Sequence, residues 1–270
     1  MPKPSGCRNC IRRRGTRDGM KTSTNSQKQQ WNPSEWAGVA SVWVLAEAAV
    51  AKLSRVFLWG PPGVGKSYLA SRAGSSPVQV TLAEDLTVQE LMGHWVPDRV
   101  EWHFHLGPVS RAYQEGRVLV LNEIGRASGS VQDFLLGVLD NRDVASLALP
   151  NGQLLTPAEG FKVVGTSNTS PDQLDPALRS RFEAEIHLPV PNVALVEELD
   201  RRCQGLGGAL ADSYLDPERA LDPRRVMSFI NLVCDAVPSR QAAVLTLAER
   251  APDFLAALQA RGVRLPCDTF

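Results

Sequence analysis

A glycine-rich octapeptide constrains this chain more than any other feature. Residues 60–67 read Gly-Pro-Pro-Gly-Val-Gly-Lys-Ser, which fits the pattern G-x-x-x-x-G-K-[ST]. An apolar run before it predicts a strand, and the stretch after it predicts a helix. Glycines let several backbone N–H groups converge on one phosphate, and the lysine adds a point charge. We therefore predict a nucleotide phosphate site made by Gly60, Pro61, Pro62, Gly63, Val64, Gly65, Lys66, Ser67 and Tyr68.

Short apolar runs alternate with helical stretches as far as residue 190. The predicted strands are Val56–Trp59, Val78–Thr81, Val118–Leu121, Phe161–Thr166 and Ala184–Leu188. The predicted helices between them are Lys66–Ala73, Val88–Met92, Val109–Glu115, Val131–Leu139 and Gln173–Leu178. This alternation indicates an α/β core with a mostly parallel five-stranded sheet between helices. Beyond residue 190 the pattern is helical only, over Val193–Cys203, Pro223–Val237, Ser239–Ala251 and Asp253–Ala260.

Charge is distributed unevenly along the chain. The 29 basic and 29 acidic residues cancel overall. Residues 1–30, however, carry eight Lys/Arg against one acid, or +7, which leaves −7 for the remainder. We predict a basic, disordered tail over 1–31, an α/β core over 32–190, a small helical lid over 191–262 and a C-terminal tail over 263–270. Five scattered cysteines indicate reduced thiols rather than a disulfide framework, and Cys7 and Cys10 make at most half a zinc site.

Two of the predicted strands end in polar residues suited to nucleotide chemistry. Val118–Leu121 runs into Asn122 and Glu123, and Phe161–Thr166 is followed closely by Asn168. Glu123 is the candidate base that orients and deprotonates water, and Asn168 is expected between it and the phosphate loop. Ser67 would bind Mg²⁺ directly, and Asn122 would act from the metal's second shell. An amide at Asn122 accepts a hydrogen bond but adds no negative charge, so weaker Mg²⁺ binding is expected.

Arginines near the last strand and at the start of a later helix are candidate phosphate ligands. Arg181 is the first choice for contacting a phosphate on an adjoining subunit, with Arg179 as the alternative. Arg224 opens a helix of the lid and would reach back to the γ-phosphate, with Arg225 as the alternative. For each of them, a solvated surface arginine is the competing interpretation.

Taken together, these motifs resemble those of the AAA+ ATPases, and more narrowly of their MoxR-like branch of the dynein-related type, over roughly residues 33–240. The narrower resemblance rests on Glu90–Gly93, Gly107–Val109, Asn122–Ala127, Val131–Leu136 and Leu154–Thr156. It implies Walker A roles for Lys66 and Ser67 and Walker B roles for Asn122 and Glu123. Asn168 then corresponds to sensor 1, Arg181 to the arginine finger and Arg224 to sensor 2. Asn122 departs from the usual aspartate, and Gly125 stands where the family usually has asparagine.

The resemblance also implies a function. It implies Mg²⁺-dependent ATP binding and hydrolysis, assembly into a ring, usually a hexamer, and remodelling of a client protein. The insert Trp95–His105 and the hairpin Val144–Leu155 would project toward the pore or one face of the ring, unless the aromatic residues of the insert pack on one another. A metal site at His94, His103 and His105 is less favoured.

Two alternatives remain open for the function. One is a nucleic-acid translocating motor, which the charge of −7 on the body disfavours because phosphate tracking needs a basic channel. The other is a nucleotide-gated scaffold with little turnover, which Asn122 favours. The apolar run Trp36–Ala46 is too short to cross a bilayer and no signal peptide opens the chain. We therefore expect a cytoplasmic protein without membrane contact.

Overall fold

The computed structural model describes residues 37–216 and 219–265 of the chain. The tail over 1–31 with Cys7 and Cys10, and the last part of the predicted C-terminal tail, lie outside these residues. The chain forms two compact units. The first comprises Ser41–Pro189, and the second comprises the described residues from Val190 onward together with residues 37–40.

A five-stranded parallel sheet organises the first unit, as predicted. Its strand order is β2-β5-β8-β1-β9, and each neighbouring pair is parallel. These strands are β1 (Arg55–Trp59), β2 (Val78–Thr81), β5 (Val118–Asn122), β8 (Lys162–Ser167) and β9 (Ala184–His187). Because β8 lies between β1 and β5, the polar residues after β8 emerge between those after β1 and β5.

Six helices accompany the sheet in the described part of the first unit. They are α1 (Ala37–Lys52), which begins before the unit does, α2 (Lys66–Ser71), α3 (Val88–Met92), α4 (Pro108–Glu115), α5 (Gly129–Val138) and α6 (Pro176–Arg179). The predicted helix Gln173–Leu178 is wrong in its extent. A 3₁₀ turn ends at Gln173, Leu174 and Asp175 are extended, and α6 begins at Pro176. Proline disfavours helical backbone in the residue before it, and Asp175 caps α6 by accepting a hydrogen bond from the Ala177 N–H at 2.7 Å.

The hydrophobic core of this unit is formed by side chains of the sheet strands and of the helices that pack on them, including α4, α5 and α6. Phe57, Leu119, Leu121 and Val163 from three adjacent strands are almost fully buried. Each such side chain stabilises the fold by about 1.5–3 kcal/mol relative to exposure to water. Continuous burial along β5 explains why Val118–Leu121 is an unbroken apolar run.

Two antiparallel hairpins extend the first unit. Strands β3 (Gly93–Pro97) and β4 (Trp102–Leu106) form one, and β6 (Leu147–Ala148) and β7 (Leu154–Leu155) form the other. They coincide with the two segments expected to project from the core.

The second unit is helical over its described residues. Its helices are α7 (Val193–Arg202), α8 (Leu206–Ser213), α9 (Pro223–Cys234), α10 (Ser239–Leu247) and α11 (Ala251–Ala260). They surround their own core, to which Leu210, Phe229 and Phe254 contribute. Helix α8 was not predicted. None of the helices in the described ranges is long and apolar enough to cross a bilayer.

Candidate nucleotide-binding site

The predicted phosphate loop connects β1 to α2. Gly60, Gly63 and Gly65 have positive φ angles of 147°, 80° and 116°, which residues with side chains rarely adopt. A Cβ atom on Gly60 would lie 2.2 Å from the carbonyl oxygen of Leu188, so a side chain has no room there. Val64 is fully buried, so it can face a ligand only through its backbone. These glycines give the loop the folded-back course that a phosphate cradle needs.

Lys66 is held at the mouth of this loop. Only 6% of the residue is exposed. Its Nζ donates hydrogen bonds to the carbonyl oxygens of Gly60 at 2.8 Å and Pro61 at 2.7 Å, and to Oδ1 of Asn168 at 2.8 Å. All three acceptors are neutral, and these bonds orient the ammonium group. A phosphate that enters the loop can therefore replace these neutral oxygens as the hydrogen-bond partner of Lys66.

Ser67 and Asn122 form the predicted pair for a metal ion. The Ser67 hydroxyl donates to Oδ1 of Asn122 at 2.6 Å, and the Thr166 hydroxyl donates to the same oxygen at 3.2 Å. Because the Ser67 proton is used in this bond, the lone pairs of its Oγ remain for a cation. Oxygen donors are the ligands that Mg²⁺ prefers, so the donor set fits this ion, although the pair itself supplies no carboxylate.

Glu123 lies at the end of β5 with an unusual backbone conformation. Its φ and ψ of 57° and 43° place it in the left-handed region, which is uncommon for a residue other than glycine and concentrates at functional sites. Its Oε1 accepts a hydrogen bond from Nδ2 of Asn168 at 2.5 Å. Asn168 therefore links Lys66 to Glu123 in one hydrogen-bonded chain across the loop. The structure brings the predicted Walker A, Walker B and sensor 1 residues together.

The two arginines before β9 have different partners. Arg179 binds Glu185 and Asp172, and these contacts raise the pKa of its guanidinium. Arg181 donates from Nη1 to Oδ1 of Asp140 at 2.6 Å. Neither arginine is hydrogen-bonded to the Lys66–Asn168–Glu123 chain.

The remaining predicted residues have other hydrogen-bond partners or are exposed. Tyr68 is exposed on α2, where its hydroxyl accepts from Arg72 Nη1 at 2.9 Å. Arg224 lies in the second unit at the start of α9, where its Nε and Nη2 bind the carboxylate of Asp222 at 3.2 and 3.1 Å. Arg225 follows it on the exposed side of the same helix.

In the β3–β4 hairpin, two aromatic residues pack on one another and a third is exposed. Trp95 and Phe104 pack edge to face at 5.4 Å, and Phe104 also contacts the core. Trp102, opposite Pro97, is 65% exposed. His94, His103 and His105 are exposed, and no group of three or more His, Cys, Asp or Glu side chains in the described ranges is arranged to hold a metal ion.

Two residues that sequence reasoning missed contact the site or its candidate arginine. Thr166 is 2% exposed inside β8 and binds Asn122, and Asp140 follows α5 and binds Arg181. The sequence carries no signal for Asp140, since it is 41 residues away from its partner. Thr166 lies near the end of β8, two residues before Asn168, which follows the strand, so its position at the carboxyl end of the sheet was its only signal.

Comparisons with known proteins agree with this geometry. Residues 55–182 match the family model described as an AAA domain of the dynein-related subfamily. The protein NorQ of Paracoccus denitrificans is 31% identical over 154 residues, which cover 54% of this chain and 57% of NorQ. The protein CbbQ of Hydrogenophilus thermoluteolus is 27% identical over 156 residues, covering 54% of this chain and 58% of CbbQ. The chain thus spans little more than half the length of these relatives.

A solved structure shares the fold. The crystal structure of NtrX from Brucella abortus superimposes with a TM-score of 0.50 at 18% sequence identity, over 82% of this chain and 62% of that one. At this identity the likeness supports the architecture alone. The family match covers the phosphate loop, Asn122, Glu123 and Asn168, the residues that the fold brings together. Residues 55–182 therefore form an AAA domain of the dynein-related subfamily, and the chain is similar to NorQ and CbbQ over little more than half of its length.

Proposed function

We propose that this protein hydrolyses ATP between the subunits of a ring and uses the released energy to remodel a partner protein. The observation that carries the hydrolytic part is the hydrogen-bonded chain from Lys66 through Asn168 to Glu123. It supports one site in which a phosphate-binding cation and a candidate base are joined by a neutral amide.

The roles of these side chains follow from their partners. Lys66 exchanges its carbonyl partners for phosphate oxygens, because a charge-assisted hydrogen bond is roughly twice as strong as one to a neutral acceptor. That exchange frees Oδ1 of Asn168, while Nδ2 keeps hold of Glu123. Glu123 then accepts a proton from the water that attacks the terminal phosphate. Bound Mg²⁺, held by Ser67 with Asn122 behind it, would neutralise charge on the phosphates.

Arg181 is proposed to complete the site of the neighbouring subunit. The five N–H groups of a guanidinium suit a phosphate oxygen cluster, and arginines acting in this way contribute roughly 10³–10⁵ in rate. The assignment of Arg224 to sensor 2, the lid role of residues 191–262, the hexameric ring and the cytoplasmic location remain proposals that rest on the family resemblance.

Steady-state ATP hydrolysis with and without DNA separates this proposal from its two alternatives. We expect turnover that DNA does not stimulate. Stimulation by DNA would favour the translocating motor instead. Tight nucleotide binding without measurable turnover would favour the scaffold, in keeping with the neutral amide at Asn122.

A subunit-mixing experiment tests the action of Arg181 across the interface. Glu123→Gln and Arg181→Ala are each expected to be inactive. After subunit exchange, about a quarter of the interfaces in a random one-to-one mixture join an intact active site to an intact Arg181. We expect ATP turnover to reappear in the mixture, with mixed assembly confirmed by light scattering. Normal hydrolysis by Arg181→Ala alone would refute the assignment and make Arg179 the candidate.

A further inference from the structure

The two arginines that precede β9 differ in how fully their donors are used. Arg179 binds the two oxygens of Glu185 with Nε and Nη2, at 2.7 and 2.8 Å, in a two-pronged contact. Its Nη1 binds Asp172 at 2.7 Å. Two carboxylates therefore hold this guanidinium through three of its five N–H groups. A phosphate would have to displace a bidentate partner, so Arg179 is committed to the fold of its own subunit.

Arg181 has a single side-chain partner. Its Nη1 donates to Oδ1 of Asp140 at 2.6 Å, and its Nε and Nη2 make no hydrogen bond to any residue in the described ranges. The side chain is 39% exposed. One prong of the guanidinium is thus fixed, while the donors of the other two nitrogens remain for an incoming anion.

The backbone on both sides of this contact is anchored. Phe182, next to Arg181, is buried with its ring centroid 5.4 Å from that of Phe57. Asp140 follows directly on α5, and the N–H of Asn141 donates to its Oδ1 at 2.8 Å. The same oxygen therefore accepts from both Asn141 and Arg181, so the backbone sets the orientation of the carboxylate.

The Asp140 end is fixed a second time by a neighbouring ion pair. Nη1 of Arg55 donates to the carbonyl oxygen of Leu139 at 3.0 Å, and the same guanidinium pairs with Glu183 at 3.0 Å. The turn that carries Asp140 is therefore tied to β1 and to the residue before β9. Side chains with so many fixed supports hold a functional group to a narrow range of positions.

From this geometry we infer that Asp140 is a positioning residue for Arg181, holding one prong of its guanidinium so that the others are presented to the phosphates bound by the adjacent subunit. The inference rests on the proposed function, because it requires Arg181 to act across the interface. A contact that locked Arg181 away from a phosphate would be expected to use both prongs, as Glu185 does with Arg179. The single bond to Asp140 instead leaves most of the donors available.

The test places the change at Asp140 on one chain or the other of the complementing pair. In the first mixture, Glu123→Gln/Asp140→Ala, which supplies Arg181, is combined with Arg181→Ala. In the second, Glu123→Gln is combined with Arg181→Ala/Asp140→Ala. We expect the recovered ATP turnover to fall about 10²-fold in the first mixture, the order of loss that a displacement of about 1 Å can cause. The second mixture should recover as much activity as the pair without the Asp140 change.

This asymmetry separates positioning from general stability. If Asp140 only stabilised the fold, its loss would lower the activity of both mixtures alike, and that result would overturn the inference. Equal and full recovery in both would overturn it too. Should Arg181→Ala alone hydrolyse ATP normally, the proposed interface and this inference would fail together. If Arg181→Ala were inactive and Asp140→Ala fully active, the inference about Asp140 would be refuted, whereas the proposal that Arg181 acts across the interface would still be supported.

Measurements on single variants remain informative if rings with only a quarter of competent interfaces do not turn over. Asp140→Ala alone should lose about 10²-fold in kcat while its dissociation constant for ADP stays unchanged, because Asp140 makes no bond to the phosphate loop. Asp172→Asn is the matched control. It removes the charge of a carboxylate that contacts arginine at 2.7 Å, close to the 2.6 Å of the Asp140 contact, but Glu185 still holds Arg179, so unaltered kcat is expected. An unchanged kcat in Asp140→Ala, or an equal loss in Asp172→Asn, contradicts the inference.

Discussion

Replacing Asn122 by aspartate tests the proposal that Mg²⁺ binds beside Ser67 and Asn122. Oδ1 of Asn122 lies 2.6 Å from Oγ of Ser67, and a carboxylate in its place keeps this bond and adds a negative charge. A charge-assisted hydrogen bond exceeds a neutral one by about 1 kcal/mol. A divalent ion bound to Ser67 at about 2.1 Å would lie within about 5 Å of the new charge, where their attraction in water is about 1.5–2 kcal/mol.

These contributions, about 2.5–3 kcal/mol together, predict a gain in Mg²⁺ affinity of about 70- to 160-fold, at or slightly above the upper end of what partners of metal ligands usually supply. Titration calorimetry of ADP at a series of Mg²⁺ concentrations measures this directly, without requiring turnover. We expect the Mg²⁺ concentration for half-maximal enhancement of binding to fall in Asn122→Asp. Hydrolysis should reach its half-maximum at a correspondingly lower Mg²⁺ concentration.

Two controls make the comparison specific. Asn122→Ala removes the acceptor of the Ser67 and Thr166 hydroxyls, so it should weaken Mg²⁺ binding. Thr166→Val leaves the Ser67 bond intact, so its effect on Mg²⁺ binding should be smaller. If Asn122→Asp left the Mg²⁺ requirement unchanged or raised it, Asn122 would not lie beside the metal, and the argument from its bond to Ser67 would be refuted.

Three further predictions follow from the same structure. Lys66→Ala should abolish ADP binding in calorimetry, whereas Glu123→Gln should bind normally and lose about 10²- to 10⁴-fold in turnover; normal turnover in Glu123→Gln would exclude it as the base. Burial raises the pKa of Tyr113 from 10.0 to about 12, so the folded state holds this proton more tightly and stability falls between these pH values. Tyr113→Phe removes a buried hydroxyl that has no hydrogen-bond partner among the described residues. In urea unfolding, this variant should lose less stability at alkaline pH and none at pH 7. A clear loss of stability at pH 7 would mean that the hydroxyl has a hydrogen-bond partner. Gly60→Ala should lower the free energy of unfolding by more than about 1 kcal/mol, since its Cβ would meet Leu188 and its φ is positive; unchanged stability would contradict this.

The parallel sheet was predictable because its central strands are almost completely buried. Val118–Leu121 is a continuous apolar run, and short runs bounded by turn residues are distinctive when helices alternate with them. The polar residues just beyond such strands then fall at one edge of the sheet. That rule alone placed Asn122, Glu123 and Asn168 near the phosphate loop, and their hydrogen bonds agree with it.

Helix α8 shows why local patterns miss some elements. Gly207 and Gly208 lie in its first turns, and glycine costs about 1 kcal/mol per residue in a helix relative to alanine. A Cβ on Gly207, however, would lie 2.2 Å from the carbonyl oxygen of Val196 in α7. Close packing of the two helices requires glycine there, and the gain from this packing outweighs the low propensity. No window of sequence around residue 207 contains that information.

The choice between Arg179 and Arg181 is set by carboxylates that the motif itself does not contain. Both arginines precede the last strand and both suit a phosphate, and the sequence pattern makes Arg181 the first choice and Arg179 the alternative. The fold separates them by giving Arg179 a two-pronged partner in Glu185 and Arg181 a single bond to Asp140. Since an arginine can serve a neighbouring phosphate only with donors that its own subunit does not occupy, the supply of nearby carboxylates decides which one is available. The candidate for action across an interface is therefore selected by contacts within the subunit.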